Sequence, residues 1–216
     1  MSDRSRSVSE PHVWQPFPLA VVARRMTGFE RPWWFAGGQA IDAFLGYQSR
    51  DHGDIDIACL RKDQIAMQRQ LAGLDIWCAD PPGSLRPWPE GELLPESVHD
   101  IWCRESPHGP WRLQLMLDES DGDQWVFRRA PAIRRPLDDL LVYRDGVPYL
   151  AVEVQLLYKA GRPGAPMPAK NQQDFDACLP HLDAGQRAWL ASALQATHPG
   201  HTWIGPLESS ETPRNT

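Results

Sequence analysis

The sequence predicts a mixed α+β fold: a mixed β-sheet flanked by helices and followed by a helical C-terminal part. Three observations carry this. Helical and strand-like periodicities alternate up to about residue 148. The strand-like segments beyond residue 100 are joined by the tight-turn sequences SPHGP and DESDGD. After the turn Asp145-Gly146, the remaining long segments read as helices.

Between residues 16 and 28, Leu19, Val22, Ala23 and Met26 recur at spacings of three and four, which predicts an amphipathic helix ended by Gly28. The apolar run 33–36 stops at Gly37-Gly38, and residues 39–45 read as a helix capped by Gly46. Residues 54–60 alternate as a strand, with Ile55 and Ile57 on one face and Asp54 and Asp56 on the other. A helix over 61–72 and an apolar strand over 74–79 follow. The stretch 80–98 holds several prolines and glycines without periodicity, which predicts an irregular segment covering a site. Strands are expected near 100–104, 111–118, 124–129 and 141–144, then helices over 151–160, 172–182 and 184–197. The polar tail beyond Trp203 is expected to be disordered.

Composition narrows the function. Hydrophobic residues make up 42% of the chain, close to the globular average, and no apolar run is long enough to span a bilayer. The opening MSDRSRSVSEPH lacks the apolar stretch of a signal peptide, so a cytoplasmic protein is expected. Cys59, Cys78, Cys103 and Cys178 are scattered without a CxxC pair and read as reduced, buried thiols. A net charge of −6 argues against a general nucleic-acid binder, whose phosphate contacts need a basic surface. A small polar or cationic substrate fits that balance better. Ten tryptophans leave aromatic surface for a ligand pocket or an unusual core.

Side chains two apart on a strand point the same way, so Asp54 and Asp56 present neighbouring carboxylates. Such a pair suits Mg²⁺, which commonly uses one or two carboxylates together with substrate phosphates. A DID motif alone also describes a solvated strand edge. Gly37 and Gly38 lack side chains and open a helix, so backbone amides could approach a phosphate there. A lone GG equally marks a tight turn. The ordered combination of apolar strand, GG, helix and DxD strand is more specific, because it sets a phosphate cradle beside a metal cradle.

The stretch WWFAGGQAIDAFLGYQSRDHGDIDIACL resembles the signature of aminoglycoside 2''-adenylyltransferases and lincosamide nucleotidyltransferases, most closely over residues 34–57. There a GG(W)AID segment is followed by a basic residue, His and DID. YLAVEVQLLYKA and the HPGHTW ending are similar to further relatives of these enzymes. The resemblance implies a nucleotidyltransferase fold of the DNA polymerase β-like superfamily; with the change of pattern near residue 148 and the polar ends, the expectation is a catalytic domain over 14–148, a helical subdomain over 149–203, and disordered tails at 1–13 and 204–216. It implies metal-binding Asp54 and Asp56, with Mg²⁺ as cofactor, and a nucleoside triphosphate, ATP above all, as donor. The acceptor would be a hydroxyl of a small, aminoglycoside-like molecule, while the net charge and the lack of a long apolar run speak against nucleic acid and membrane as partners. Gly37, Gly38, Arg50 and His52 fall in the matching nucleotide-binding segment, and Lys159 is the further basic candidate. Lys170 and Asp174 resemble a K-D…D-F segment of relatives.

Two departures stand out. Gln39 replaces the tryptophan after GG. Gln114 stands where the family places a third carboxylate, and an amide cannot accept a proton as a carboxylate does. Asp118 shares the Gln114 face but lies two strand steps beyond it, about 13 Å along an ideal strand. Glu119 faces less well. The expectation is that Gln114 lies nearest the aspartate pair, with the third acid absent or supplied by Glu153 from the following helix. Two rivals remain: a nucleotidyltransferase toxin modifying tRNA or protein, and a nucleotide-binding protein that has lost catalysis. His198 and His201 read as parts of a turn rather than metal ligands.

Overall fold

A computed structural model describes residues 13–209 and the backbone of a two-residue strand, β1 (Arg6–Ser7). The expected tails over 1–12 and 210–216 otherwise lie outside the described residues. From α1 (Leu19–Arg25) the chain enters β2 (Trp33–Phe35), turns through two glycines into α2 (Gly37–Leu45), and returns as β3 (Asp56–Leu60). A 3₁₀ turn leads into α3 (Gln64–Gln70), followed by β4 (Asp75–Ala79), β5 (Ser84–Pro87), β6 (Asp100–Arg104) and β7 (Trp111–Asp121). Short strands β8 (Gln124–Val126) and β9 (Arg134–Pro136) precede the hairpin of β10 (Leu141–Arg144) and β11 (Val147–Leu150). Helices α4 (Val152–Lys159), α5 (Ala169–Cys178), α6 (Ala184–Thr197) and α7 (Ile204–Glu208) complete the described residues.

The main sheet runs β1-β5-β4-β6-β7-β3-β2-β11-β10, with β8 paired to the far end of β7 and β9 to β8. It is mixed: β3 runs parallel to β7 and β11 parallel to β2, while the other pairs are antiparallel. Strand alternation divides its core. Phe35, Ile57, Leu113 and Leu115 pack with α1 and α3 on one face. Trp34, Ala58 and Leu60 join Ile41, Val154, Leu157, Leu190 and Leu194 on the other, so α2 and the C-terminal helices close that side. At about 25 cal/mol per Å² of apolar surface, such continuous layers supply the main drive to fold. Helix α6 starts at a capping box, in which the Asp183 carboxylate accepts from the Gln186 amide and the Gln186 side chain accepts from the Asp183 amide. All four cysteines are free and buried. No described helix is long and apolar enough to cross a membrane.

Three expectations are corrected. The segment 80–98 contains β5, whose buried Leu85 pairs with Ala79 of β4; alternation over four residues flanked by prolines is too brief to read. Strands β9 and β11 were also missed, because each is only three or four residues long and β11 is interrupted by Pro148. The chain beyond Trp203 folds as α7, with Ile204 and Leu207, three residues apart, buried on one helical face. Trp203 anchors it, stacking on Phe175 at 4.2 Å and donating its indole N–H to Gln172 Oε1 at 2.8 Å.

Candidate functional site

The β2-turn-α2 unit brings Gly37 against Asp56 at the start of β3 and Gly38 against His52. Gly37 has a left-handed φ of +63°, and a Cβ there would overlap the Asp56 carboxylate. A Cβ on Gly38 would overlap the His52 imidazole. Both positions are therefore closed to any side chain. The Gly37 amide donates to Gln155 Oε1 of α4 at 2.7 Å, so it already has a protein partner and ties the turn to the C-terminal helices. Burial and the neighbouring charge of Asp54 push the Asp56 carboxyl up to about 7, against the pull of Lys159 and Lys170.

The loop between α2 and β3 is held by two carboxylates. Asp42 accepts from the Ser49 amide at 2.9 Å and its hydroxyl at 2.7 Å, and pairs with His52 Nε2 at 2.5 Å. Asp174 of α5, with its side chain 1% exposed, receives Arg50 through two bonds of 2.8 and 3.1 Å and pairs with Lys159 Nζ at 2.6 Å. Burial raises its pKa, but the Arg50 and Lys159 contacts outweigh that and hold it below the ordinary aspartate value. The stability this cluster adds is present above that ordinary value and is lost as pH falls through the folded one. Replacing Asp174 by Ala strands two cations, and a loss of about 3 kcal/mol is expected in chemical denaturation. A loss below about 1 kcal/mol would show that solvent, not Asp174, holds them.

Two cavities flank the aspartate pair. One of about 230 Å³ lies between the sheet and α4, lined by Asp56 together with Arg128, Arg129, Lys159 and Lys170. The other, about 360 Å³, is lined by Asp54, Asp42, His52, Gln39 and Phe17. Asp56 and Gln114 are register partners across the parallel β3–β7 pair, as expected, so Gln114 lies beside the aspartates. Asp118 sits two strand steps further along β7, buried, accepting from Trp125 Nε1 at 3.0 Å and the Tyr158 hydroxyl at 2.8 Å. Glu119 pairs with Arg61 at 2.6 Å.

The expectation for Glu153 is corrected. Its carboxylate is 3% exposed and engaged by Arg135 at 2.6 Å and Gln186 at 3.2 Å. On α4 it is Gln155, Tyr158 and Lys159 that line the cavity with Asp56, and Glu153 is turned away from them. His198 bonds to its neighbour Thr197 at 2.7 Å, within the turn that precedes α7.

Sequence reasoning missed Arg128, Arg129 and Asp100. The two arginines follow β8 and looked like the end of a strand. Asp100 opens β6; Gln114 Nε2 donates to its Oδ1 at 3.3 Å, and His99 Nε2 lies 3.1 Å from its other oxygen. Nothing local marks it, because its relation to Asp56 arises from cross-strand register.

Among the described residues, no group of three or more His, Cys, Asp or Glu side chains is arranged to hold a metal ion. The donor set at the turn is the carboxylate pair Asp54 and Asp56. All-oxygen donors limited to two protein groups fit Mg²⁺, which completes its shell with water and phosphate oxygens.

This architecture is a nucleotidyltransferase fold. It is shared with the solution structure of the antibiotic-resistance factor ANT(2'')-Ia, with a TM-score of 0.54 over 82% of this chain and 89% of that one, at 16% identity. A crystal structure of the lincosamide antibiotic adenylyltransferase LnuA with lincomycin bound gives a TM-score of 0.50 over 77% of this chain and 97% of that one, also at 16% identity. Residues 18–76, from α1 into β4, match the family model of aminoglycoside-2''-adenylyltransferase. No curated protein matches the sequence.

Proposed function

We propose that the protein is a Mg²⁺-dependent nucleotidyltransferase that moves AMP from ATP to a hydroxyl of a small polar acceptor. One observation carries this reading: Asp56, two residues from Asp54, packs against Gly37 at the edge of a cavity lined by four cationic side chains. Arg128, Arg129, Lys159 and Lys170 would bind the triphosphate and offset charge that develops on its oxygens. Asp54 and Asp56 would hold Mg²⁺, which when bound neutralises the donor phosphates and orients them. The acceptor oxygen attacks the α-phosphorus in line, the bond to the bridging oxygen breaks, and pyrophosphate leaves.

A neutral or cationic hydroxylated acceptor suits a chain of net charge −6. Gln114 beside Asp56 favours a second reading, nucleotide binding without transfer. Incubation with Mg²⁺ and α-labelled ATP in the presence of lincomycin, tobramycin and other polyols separates the two. Labelled acceptor with equal pyrophosphate is expected; ATP binding without product would support the second reading. Label appearing instead on tRNA or protein would move the acceptor to a macromolecule.

A further inference from the structure

The geometry points to Asp100 as the base that receives the proton of the acceptor hydroxyl, an assignment that rests on the nucleotidyl-transfer reading. An alcohol that attacks phosphorus must lose its proton, and Gln114, nearest Asp56 on the next strand, has no group to take it. Register places Asp100 on the same sheet face. Asp56 partners Gln114, Gln114 partners Trp102, and Asp100 lies two residues from Trp102 on β6, partnering Met116. Two strand spacings and one two-residue step separate the Asp56 and Asp100 backbones by about 12 Å. Asp56 and Asp100 thus rise from one face of the sheet, on the two strands that flank β7 and its Gln114.

Asp100 adjoins Gln114, whose Nε2 donates to its Oδ1 at 3.3 Å. The Asp100 side chain is 35% exposed, open to an incoming acceptor, whereas Asp118 and Glu153 are buried and fully engaged. His52 is bound to Asp42 and packed on Gly38, and Asp54 and Asp56 are the proposed metal ligands. Burial pushes the Asp100 carboxyl up, but His99, Arg128 and the Gln114 amide outweigh that and keep it below its usual value, so it is ionised at neutral pH. Gln114 becomes a positioning residue, whose amide steers one carboxylate oxygen. In the step itself, the hydroxyl proton passes to Asp100 as the acceptor oxygen bonds to the α-phosphorus. The electron pair of the broken bond leaves on pyrophosphate, and Asp100 later returns its proton to water.

The test uses the full chain with Mg²⁺ and ATP, and with water, lincomycin or tobramycin as acceptor. Asp100→Asn is expected to keep its melting temperature and to bind Mg²⁺-ATP within threefold of the wild type, while kcat for pyrophosphate release falls about 100-fold or more. Gln114→Leu should lower kcat by about 10-fold with KM for ATP unchanged, and Asp100→Glu should recover part of the loss. An active wild type with Asp100→Asn within threefold of it overturns the assignment alone. Loss of Mg²⁺-ATP binding in Asp100→Asn also overturns it, because Asp100 would then serve the donor. A wild type that releases no pyrophosphate with any acceptor overturns the nucleotidyl-transfer reading and the role of Asp100 with it.

Discussion

Replacing Asp56 by Asn is expected to abolish Mg²⁺-dependent ATP binding and to lower transfer by at least about 1000-fold, roughly 4 kcal/mol of transition-state stabilisation. The substitution keeps the shape of the side chain, so Gly37 would still pack against it, but it would remove one of the two anions proposed to hold the metal. ATP would bring four negative charges to a site that keeps Asp54, and Arg128, Arg129, Lys159 and Lys170 would not replace a divalent ion held by the proposed ligands Asp54 and Asp56. Removing the Asp56 charge also relieves its repulsion with Asp54, which together with burial pushes its carboxyl up to about 7. The metal-free Asp56→Asn protein should therefore melt no lower than the wild type. Calorimetry of ATP binding with and without Mg²⁺, beside a thermal melt, separates the two effects. Unchanged affinity in both Asp54→Asn and Asp56→Asn would remove the metal site from the mechanism.

What could be read in the sequence was local. The turn between β2 and α2 and the paired carboxylates are set by periods of two and 3.6, so Gly37, Gly38, Asp54 and Asp56 were found within one short segment. The position of Gln114 beside Asp56 followed from β7 being long and strictly alternating. Asp100, Arg128 and Arg129 are joined to the site by strand order, and a β6-β7-β3 sequence of neighbours is not written in any single strand. Glu153 illustrates the opposite error. A carboxylate in an apolar helix needs a reason, and the partners that supply it, Arg135 and Gln186, come from β9 and α6, elements invisible to a reading of α4 alone. The same limit hid α7, whose two apolar anchors make sense only against Phe175 and Trp203.

Gly37→Ala is expected to damage the site more than any surface substitution, because three requirements meet at one residue. The left-handed φ of +63° costs an alanine about 1 kcal/mol in backbone strain. Its Cβ would overlap the Asp56 carboxylate, which cannot simply rotate away if it is to stay beside Asp54. The amide that donates to Gln155 fixes the turn to α4, so backbone retreat from Asp56 would break that bond and add about 1 kcal/mol more. Relief by moving Asp56 would save the fold and disable the proposed metal ligand; relief by moving the turn would save that ligand and loosen α4. Gly38→Ala differs in kind, since its clash is with His52 and spares the carboxylate, so its effect should fall on the loop that carries Arg50 and His52 and is tied to Asp42 of α2. We therefore expect Gly37→Ala to lose about 2 kcal/mol of stability and at least 100-fold in Mg²⁺-ATP affinity, and Gly38→Ala to keep more of the affinity. Denaturant melts and ATP calorimetry on the two variants decide this, and wild-type affinity in Gly37→Ala would show that the turn does not position Asp56.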